Sequence, residues 1–177
     1  MAPDATALIV PLPEIDPLVS RWRARFDPSS ALGVPPHVTL LYPFLSPDHM
    51  DAAAMRDIQA MCNDVAPFTT TFTRVEALPG LLYLAPEPAD PYEALRDRLR
   101  ARWPNVLPYE GRYGPRPAPH LTVAWVAPGQ EAATGFDAIA AALTPHLPVT
   151  ATAREVVLEL RRLDRWSIWR RFRLDGP

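Results

Sequence analysis

Lysine is missing from this chain: all 18 of its basic residues are arginine. That excludes a phosphate-binding loop lysine, a Schiff base and a nucleotide carried on a lysine nitrogen. Glycine is scarce, with 7 residues, and they assemble neither G-x-G-x-x-G nor G-x-x-x-x-G-K-[ST]. Dinucleotide and triphosphate cofactors held by those motifs are therefore not expected. The one cysteine, Cys62, forms no intrachain disulfide and no C-x-x-C metal pair, so a reducing compartment and a cytoplasmic protein are expected. No run approaches the roughly 18 apolar residues of a membrane span, and no basic, then apolar leader opens the chain. Net charge is only −2, which argues against a protein that coats long nucleic acid.

What is present suits one ordinary core. The 177 residues are 48% hydrophobic and 21% charged, with 23 prolines, and no linker or low-complexity stretch divides them. Residues 1–177 are expected to form a single domain of two duplicated halves.

Periodicity and punctuation predict the elements. Thr6 to Leu12 reads as a strand. Asp16-Pro17 opens a helix with Ile15, Leu18, Val19, Trp22 and Phe26 on one stripe and Arg21, Arg23 and Arg25 towards water or a rim. A loop over Asp27 to Pro36 precedes a strand over His37 to Phe44. Ser46-Pro47 opens a helix to about Val65. Phe68 to Ala77 and Leu81 to Ala85 form a hairpin, and Asp90-Pro91 opens a helix to Arg102. Pro104 to Pro119 is a long irregular loop with Tyr109, Arg112, Tyr113 and Arg116, the aromatic and cationic groups of a binding loop. His120 to Val126 is a strand, Glu131 to Leu147 a helix, and Val149 to Arg161 and Ser167 to Leu174 a closing hairpin. The mixed order implies α+β: antiparallel pairs with helices on the outer faces.

One internal repeat carries chemistry. Pro36-His37-Val38-Thr39-Leu40 matches Pro119-His120-Leu121-Thr122-Val123 in type at every position. On a strand, His37 and Thr39 share one face and Val38 and Leu40 the other; the same holds for the second copy. The apolar pairs belong to a core. The His-Thr pairs, related by a pseudo-twofold, would meet across a cleft. Two imidazoles with pKa near ~6.5 can serve as base and acid, and two hydroxyls can donate to phosphoryl oxygens. Cleavage of a phosphodiester needs this set.

At these residues the chain resembles the two-histidine (2H) phosphoesterases, the 2′-5′ RNA ligase-like family, over nearly its whole length. The resemblance implies two pseudo-symmetric lobes of antiparallel sheet with outer helices around a central cleft. It implies His37, Thr39, His120 and Thr122 as the catalytic tetrad, with His120 the base on water and His37 the acid on the departing ribose oxygen. It implies action on 2′,3′-cyclic phosphates or 2′-5′ linkages without metal or cofactor. The partner would be an RNA end or small nucleotide, and the protein a monomer. Bacterial RNA-ligase-type members often carry a basic residue after each motif; Leu41 and Trp125 stand there in this chain, which favours a small substrate over ligation of a large RNA. The alternatives are a nucleotide-end binding module of the same fold and a 2′-5′ RNA ligase.

Other residues have weaker claims. Arg112, Tyr113 and Arg116, just before the second motif, could grip a phosphate and stack on a base, or could be a solvated loop. Tyr42 and Trp125 fall opposite the His-Thr face if the pleat is regular, so core packing is expected. The run from Arg161 to Arg173 interleaves Arg with Trp166, Trp169 and Phe172, which suits either an RNA-facing surface or a guarded sheet edge. Cys62 is expected in the core, and His49 and His146 at the surface. The structural alternative for the motif histidines is that their rings cap the loops after Pro36 and Pro119.

Overall fold

The computed structural model describes residues 4–177. Among them, eight strands form one antiparallel sheet: β1 (Ala5–Pro11), β2 (His37–Leu41), β3 (Phe68–Leu78), β4 (Leu81–Glu87), β5 (Leu121–Trp125), β6 (Val149–Ala153), β7 (Glu155–Arg162) and β8 (Arg165–Arg173). Their spatial order is β6-β3-β4-β5-β2-β1-β7-β8. The helices are α1 (Asp16–Phe26), α2 (Pro28–Ala31), α3 (Ala52–Asn63), α4 (Asp90–Arg102), α5 (Glu131–Thr134) and α6 (Phe136–Leu143). This is the expected α+β class with antiparallel pairing throughout.

The sheet is two four-stranded halves that meet at the motif strands. β2 and β5 touch through one partner pair, Val38 and Leu121. The two ends of the sheet also approach each other. β6 and β7 lie far apart in the strand order, yet only Arg154 separates them along the chain. One residue advances the backbone by about 3.8 Å, so the sheet must curl. This corrects the expected continuous strand from Val149 to Arg161, which instead divides between the halves.

The main core lies on the helix-bearing face. Leu8, Val10, Val38, Leu40, Leu121, Val123 and Leu158 from the strands pack with Val19, Ile58, Leu95 and Ile139 from the helices. The helices cross over: α1, which follows β1, packs on β5, and α4, which follows β4, packs on β2. The opposite, open face has a small apolar cluster of Ala7, Ile9, Val34 and Val157, with Tyr42 and Trp166 against it.

Local signals explain several boundaries. Ser46-Pro47 opens only a 3-10 turn; Asp51 caps α3 by accepting the Ala54 N–H at 2.8 Å. The expected helix over Glu131 to Leu147 breaks at Gly135, whose φ of 80° is left-handed, and ends in a 3-10 turn. Gly80 turns β3 into β4 at φ 76°, where an added Cβ would stand 2.5 Å from the Val126 carbonyl oxygen. No helix of the described residues is long and apolar enough to cross a membrane.

Candidate active site at the junction of the two motif strands

Both motifs present their polar residues to the open face. Val38 and Leu40, and Leu121 and Val123, are buried in the helix-side core. Alternation therefore turns His37 with Thr39, and His120 with Thr122, the other way. The Val38–Leu121 pair sits between the two sets. Extending its antiparallel register by one residue puts His37 across from Thr122 and Thr39 across from His120. The four side chains thus share one small area of one face.

Each imidazole is anchored by its own loop. His37 Nδ1 lies 2.7 Å from the Pro35 carbonyl oxygen, and His120 Nδ1 lies 2.9 Å from the Ala118 carbonyl oxygen. A carbonyl only accepts, so Nδ1 carries the proton and donates. Nε2 is left with its lone pair. The loop-capping role and an active role are therefore compatible, since they use different nitrogens. His37 Nε2 is 3.1 Å from Thr39 Oγ1, so the hydroxyl donates to it.

The electrostatics favour the neutral form of both rings. Burial lowers His37 to about 4, against the upward pull of its Pro35 hydrogen bond; Arg23 lowers it further, Asp27 opposes Arg23, and the charge on His120 adds a smaller downward push. Burial also lowers His120; its Ala118 hydrogen bond opposes this and Arg96 reinforces it. The two imidazoles are near enough for charge on His120 to disfavour charge on His37.

The motif repeat extends to a backbone irregularity. Leu8 pairs with Leu41 and Ile9 with Thr39, which leaves Leu40 as the extra residue of a bulge. In the other half Leu82 pairs with Ala124 and Tyr83 with Thr122, which leaves Val123 extra. The bulge falls one residue after the Thr of each motif, and it shifts the following residues by one position in the pleat. This corrects the expectation for two aromatics. Tyr42 joins the open-face cluster and meets Trp166 edge-on at 5.7 Å, and Trp125 is 54% exposed. Neither is in the helix-side core.

Tyr109 ties the motifs together. Its hydroxyl lies beside Thr39, and its ring stacks on His120 with centroids 6.2 Å apart. Tyr83, across from Thr122, meets His120 edge-on at 5.7 Å. Tyr109 and Glu110 both have positive φ, 51° and 57°, and the Tyr109 N–H donates to the Tyr42 carbonyl at 2.6 Å. Left-handed backbone at two adjacent non-glycine residues is costly and marks a loop held by its surroundings.

The remaining expected binding residues sit further out. Tyr113 is exposed and packs edge-on against Tyr109 at 5.4 Å. Arg112 pairs with Glu110 at 3.8 Å, and Arg116 pairs with Asp97 of α4; both arginines are largely exposed. Their ion pairs are with these carboxylates, one in the same loop and one on α4. In the C-terminal hairpin, β8 is the sheet edge. Phe172 alone of its residues is buried, Trp169 is partly exposed, and Arg171 pairs with Glu155. Cys62 is buried, and burial raises its thiol to about 12; His49 and His146 are exposed. Among the described residues, no three His, Cys, Asp or Glu side chains gather as metal ligands.

Three further residues of this region are charged and buried. Arg23, expected to face water or a rim, is 2% exposed and pairs with buried Asp27 at 2.9 Å. Arg96, in a helix face rich in arginine, is 3% exposed. Glu159 of β7, across from Ala7, is 2% exposed and burial raises its carboxyl to about 7. A charged residue at the buried register of an amphipathic pattern was the available hint.

The same arrangement of elements occurs in known proteins. Residues 11–165 match the model of the 2′-5′ RNA ligase superfamily. A Geobacillus kaustophilus protein named "Putative phosphoesterase GK0864" is 24% identical over 176 residues, spanning 96% of this chain and 95% of its own. The crystal structure of E. coli LigT complexed with 3′-AMP superposes with a TM-score of 0.60 at 19% identity, over 98% of this chain and 99% of its own. TT0787 of Thermus thermophilus superposes at 0.63 and 19% identity, over 97% and 98%. The family match runs from the end of β1 through both motif strands into the C-terminal hairpin, and on that extent this chain belongs to the 2′-5′ RNA ligase superfamily.

Proposed function

We propose that this protein is a phosphoesterase that hydrolyses 2′,3′-cyclic phosphates or 2′-5′ phosphodiesters of RNA ends or nucleotides, with His37 and His120 as the acid–base pair. The observation that carries the proposal is the meeting of two anchored imidazoles and their threonines on one face, around the Val38–Leu121 pair. The similarity to a protein named as a phosphoesterase supports it, and so does the class of ligand in E. coli LigT, solved with 3′-AMP, NADP+, phosphate and ATP.

The step balances with groups this chain supplies. His120 Nε2 takes a proton from water as the water oxygen bonds to phosphorus. The bond from phosphorus to one ribose oxygen breaks, and protonated His37 gives that oxygen its proton. The product is a phosphomonoester; one ring has gained the proton the other lost, and proton exchange with solvent returns both to their starting states. Protonation of His37 fills the Nε2 lone pair and frees the Thr39 hydroxyl, so Thr39 and Thr122 donate to the non-bridging oxygens as charge builds there. The assignment of base and acid rests on the family resemblance. Burial lowers both imidazoles, and Arg96 also favours the neutral form of His120. A bound phosphodiester is an anion, and an anion against His37 favours the imidazolium.

Steady-state kinetics on a 2′,3′-cyclic nucleotide test this reading. Each positioned acid or base contributes on the order of 100- to 10,000-fold. His37→Ala and His120→Ala are each expected to lose at least about 100-fold in kcat, and Thr39→Ala or Thr122→Ala less. Full activity in either histidine variant refutes the two-histidine mechanism.

A further inference from the structure

The two motif histidines stand on matching supports. Arg23 of α1 donates from Nη2 to the Val34 carbonyl oxygen at 3.1 Å. Arg96 of α4 donates from Nη1 to the Pro117 carbonyl oxygen at 2.6 Å. Val34 and Pro117 are each three residues before a motif histidine. The next carbonyl along, of Pro35 or Ala118, takes the Nδ1 proton of that histidine. Each loop then passes through a proline, Pro36 or Pro119, into the motif. Proline has no N–H, so no backbone donor at that position can pin the loop. The guanidinium supplies a donor from outside it.

Burial of these two arginines needs a reason. They are 2% and 3% exposed, in helices whose other arginines are largely at the surface. A buried guanidinium is costly unless its donors are used. Arg23 spends its donors on Asp27, Ser29 and Val34. Arg96 has no such carboxylate hydrogen bond among the described residues; it donates to Pro117, and its Nε is left without a partner. The helix positions differ by one, six residues after Pro17 and five after Pro91, so a comparison of sequence halves does not align the arginines. The carbonyls they hold do align.

We propose that Arg23 and Arg96 are paired positioning residues, each holding the carbonyl three residues before a motif histidine so that the next carbonyl keeps that imidazole as the Nδ1–H tautomer with Nε2 towards the open face. The consequence for catalysis rests on the phosphoesterase reading; the consequence for the tautomer does not. Displacing a reacting group by an ångström costs on the order of 100-fold. Removing either clamp is therefore expected to lower kcat by about 10- to 100-fold and to leave KM within a few-fold, because neither arginine is placed to touch substrate.

The experiment is long-range proton–nitrogen NMR of the histidine rings in native protein, Arg23→Met and Arg96→Met, beside kinetics on a 2′,3′-cyclic nucleotide. Methionine keeps length and apolar packing and removes the donors. In native protein both His37 and His120 are expected as the Nδ1–H form. Arg96→Met is expected to mix the tautomers of His120 and leave His37 unchanged, and Arg23→Met to do the reverse. A folded Met variant with native tautomers and native kcat overturns the proposal. Where Arg96→Met does not fold, Arg96→Lys keeps one donor for the Pro117 carbonyl; the native His120 tautomer is expected there, and a mixed one in a folded Lys variant overturns the proposal. If native protein opens no phosphodiester, the functional reading fails while the ring spectra still test the clamp.

Discussion

Glu159 offers the sharpest quantitative test of how the open face is built. Its carboxyl is 2% exposed beside the Ala7–Val157 cluster, and its Oε2 lacks a hydrogen-bond partner. Burial lifts it from 4.5 to about 7, with Arg23 pulling it back only in part. An acid whose pKa is raised by folding is protonated in the native state at pH values where the unfolded chain has released the proton. Stability then falls as pH rises from about 4.5 to about 7, and stays reduced above that. At 1.36 kcal/mol per pKa unit, the loss is about 3 kcal/mol. His37 acts in the opposite sense over nearly the same window: with its ring held down to about 4, the unfolded chain takes up the proton first as pH falls below ~6.5. The native curve alone therefore hides both effects. The perturbation is Glu159→Gln, and the quantity is the difference between variant and native unfolding free energies from urea melts at pH 4.5, 5.5, 6.5 and 8. His37 cancels in that difference. The variant is expected to gain steadily on the native protein across the window, by about 3 kcal/mol in all, whatever offset the amide brings. For a chain of this size that corresponds to roughly 6–12 °C in Tm. A difference that does not change with pH refutes the reasoning.

Other outcomes follow from particular contacts. The activity of native protein on a cyclic nucleotide is expected to be bell-shaped in pH, and the His37 ring in ligand-free protein is expected to show no NMR titration midpoint near 6.5, because burial holds it at about 4. Tyr109→Phe removes the hydroxyl that meets Thr39 and keeps the stack on His120, so kcat is expected to fall less than in Tyr109→Ala, which loses both. Phe172→Ala empties a fully buried position of β8 and is expected to cost about 3–5 kcal/mol by urea melts. Arg116→Ala breaks only its exposed pair with Asp97 and is expected to change stability by less than about 1 kcal/mol.

Much of the site was legible because strand periodicity is strict. The H-x-T pattern places its polar pair on one face whatever the surroundings, and the Val38 and Leu121 positions do fall in the core. The bulges at Leu40 and Val123 were not legible. A bulge is a property of the pairing, set by partners forty or more residues away in one half, and it moved Tyr42 and Trp125 out of their expected places. The split between β6 and β7 hid for a related reason: Arg154 sits in an apolar-alternating run, and only the curl of the sheet shows why the chain changes partners there. Arg23 was placed towards water or a rim because a helical wheel assigns arginine there, and nothing set Arg96 apart from the other arginines of its helix. What buries them are carbonyls of loops eleven and twenty-one residues on, which no local pattern records.

The central claim is that two histidines on this face hydrolyse a phosphodiester. Phosphorus NMR of the purified protein with a 2′,3′-cyclic nucleotide and EDTA, beside a His37→Ala/His120→Ala double variant, tests it most directly. The account predicts that native protein converts the cyclic phosphate signal to that of a single monoester, which identifies the ribose oxygen that leaves, and that the double variant does not. Equal conversion by the double variant, or no conversion of cyclic and 2′-5′ substrates alike by native protein, would contradict it.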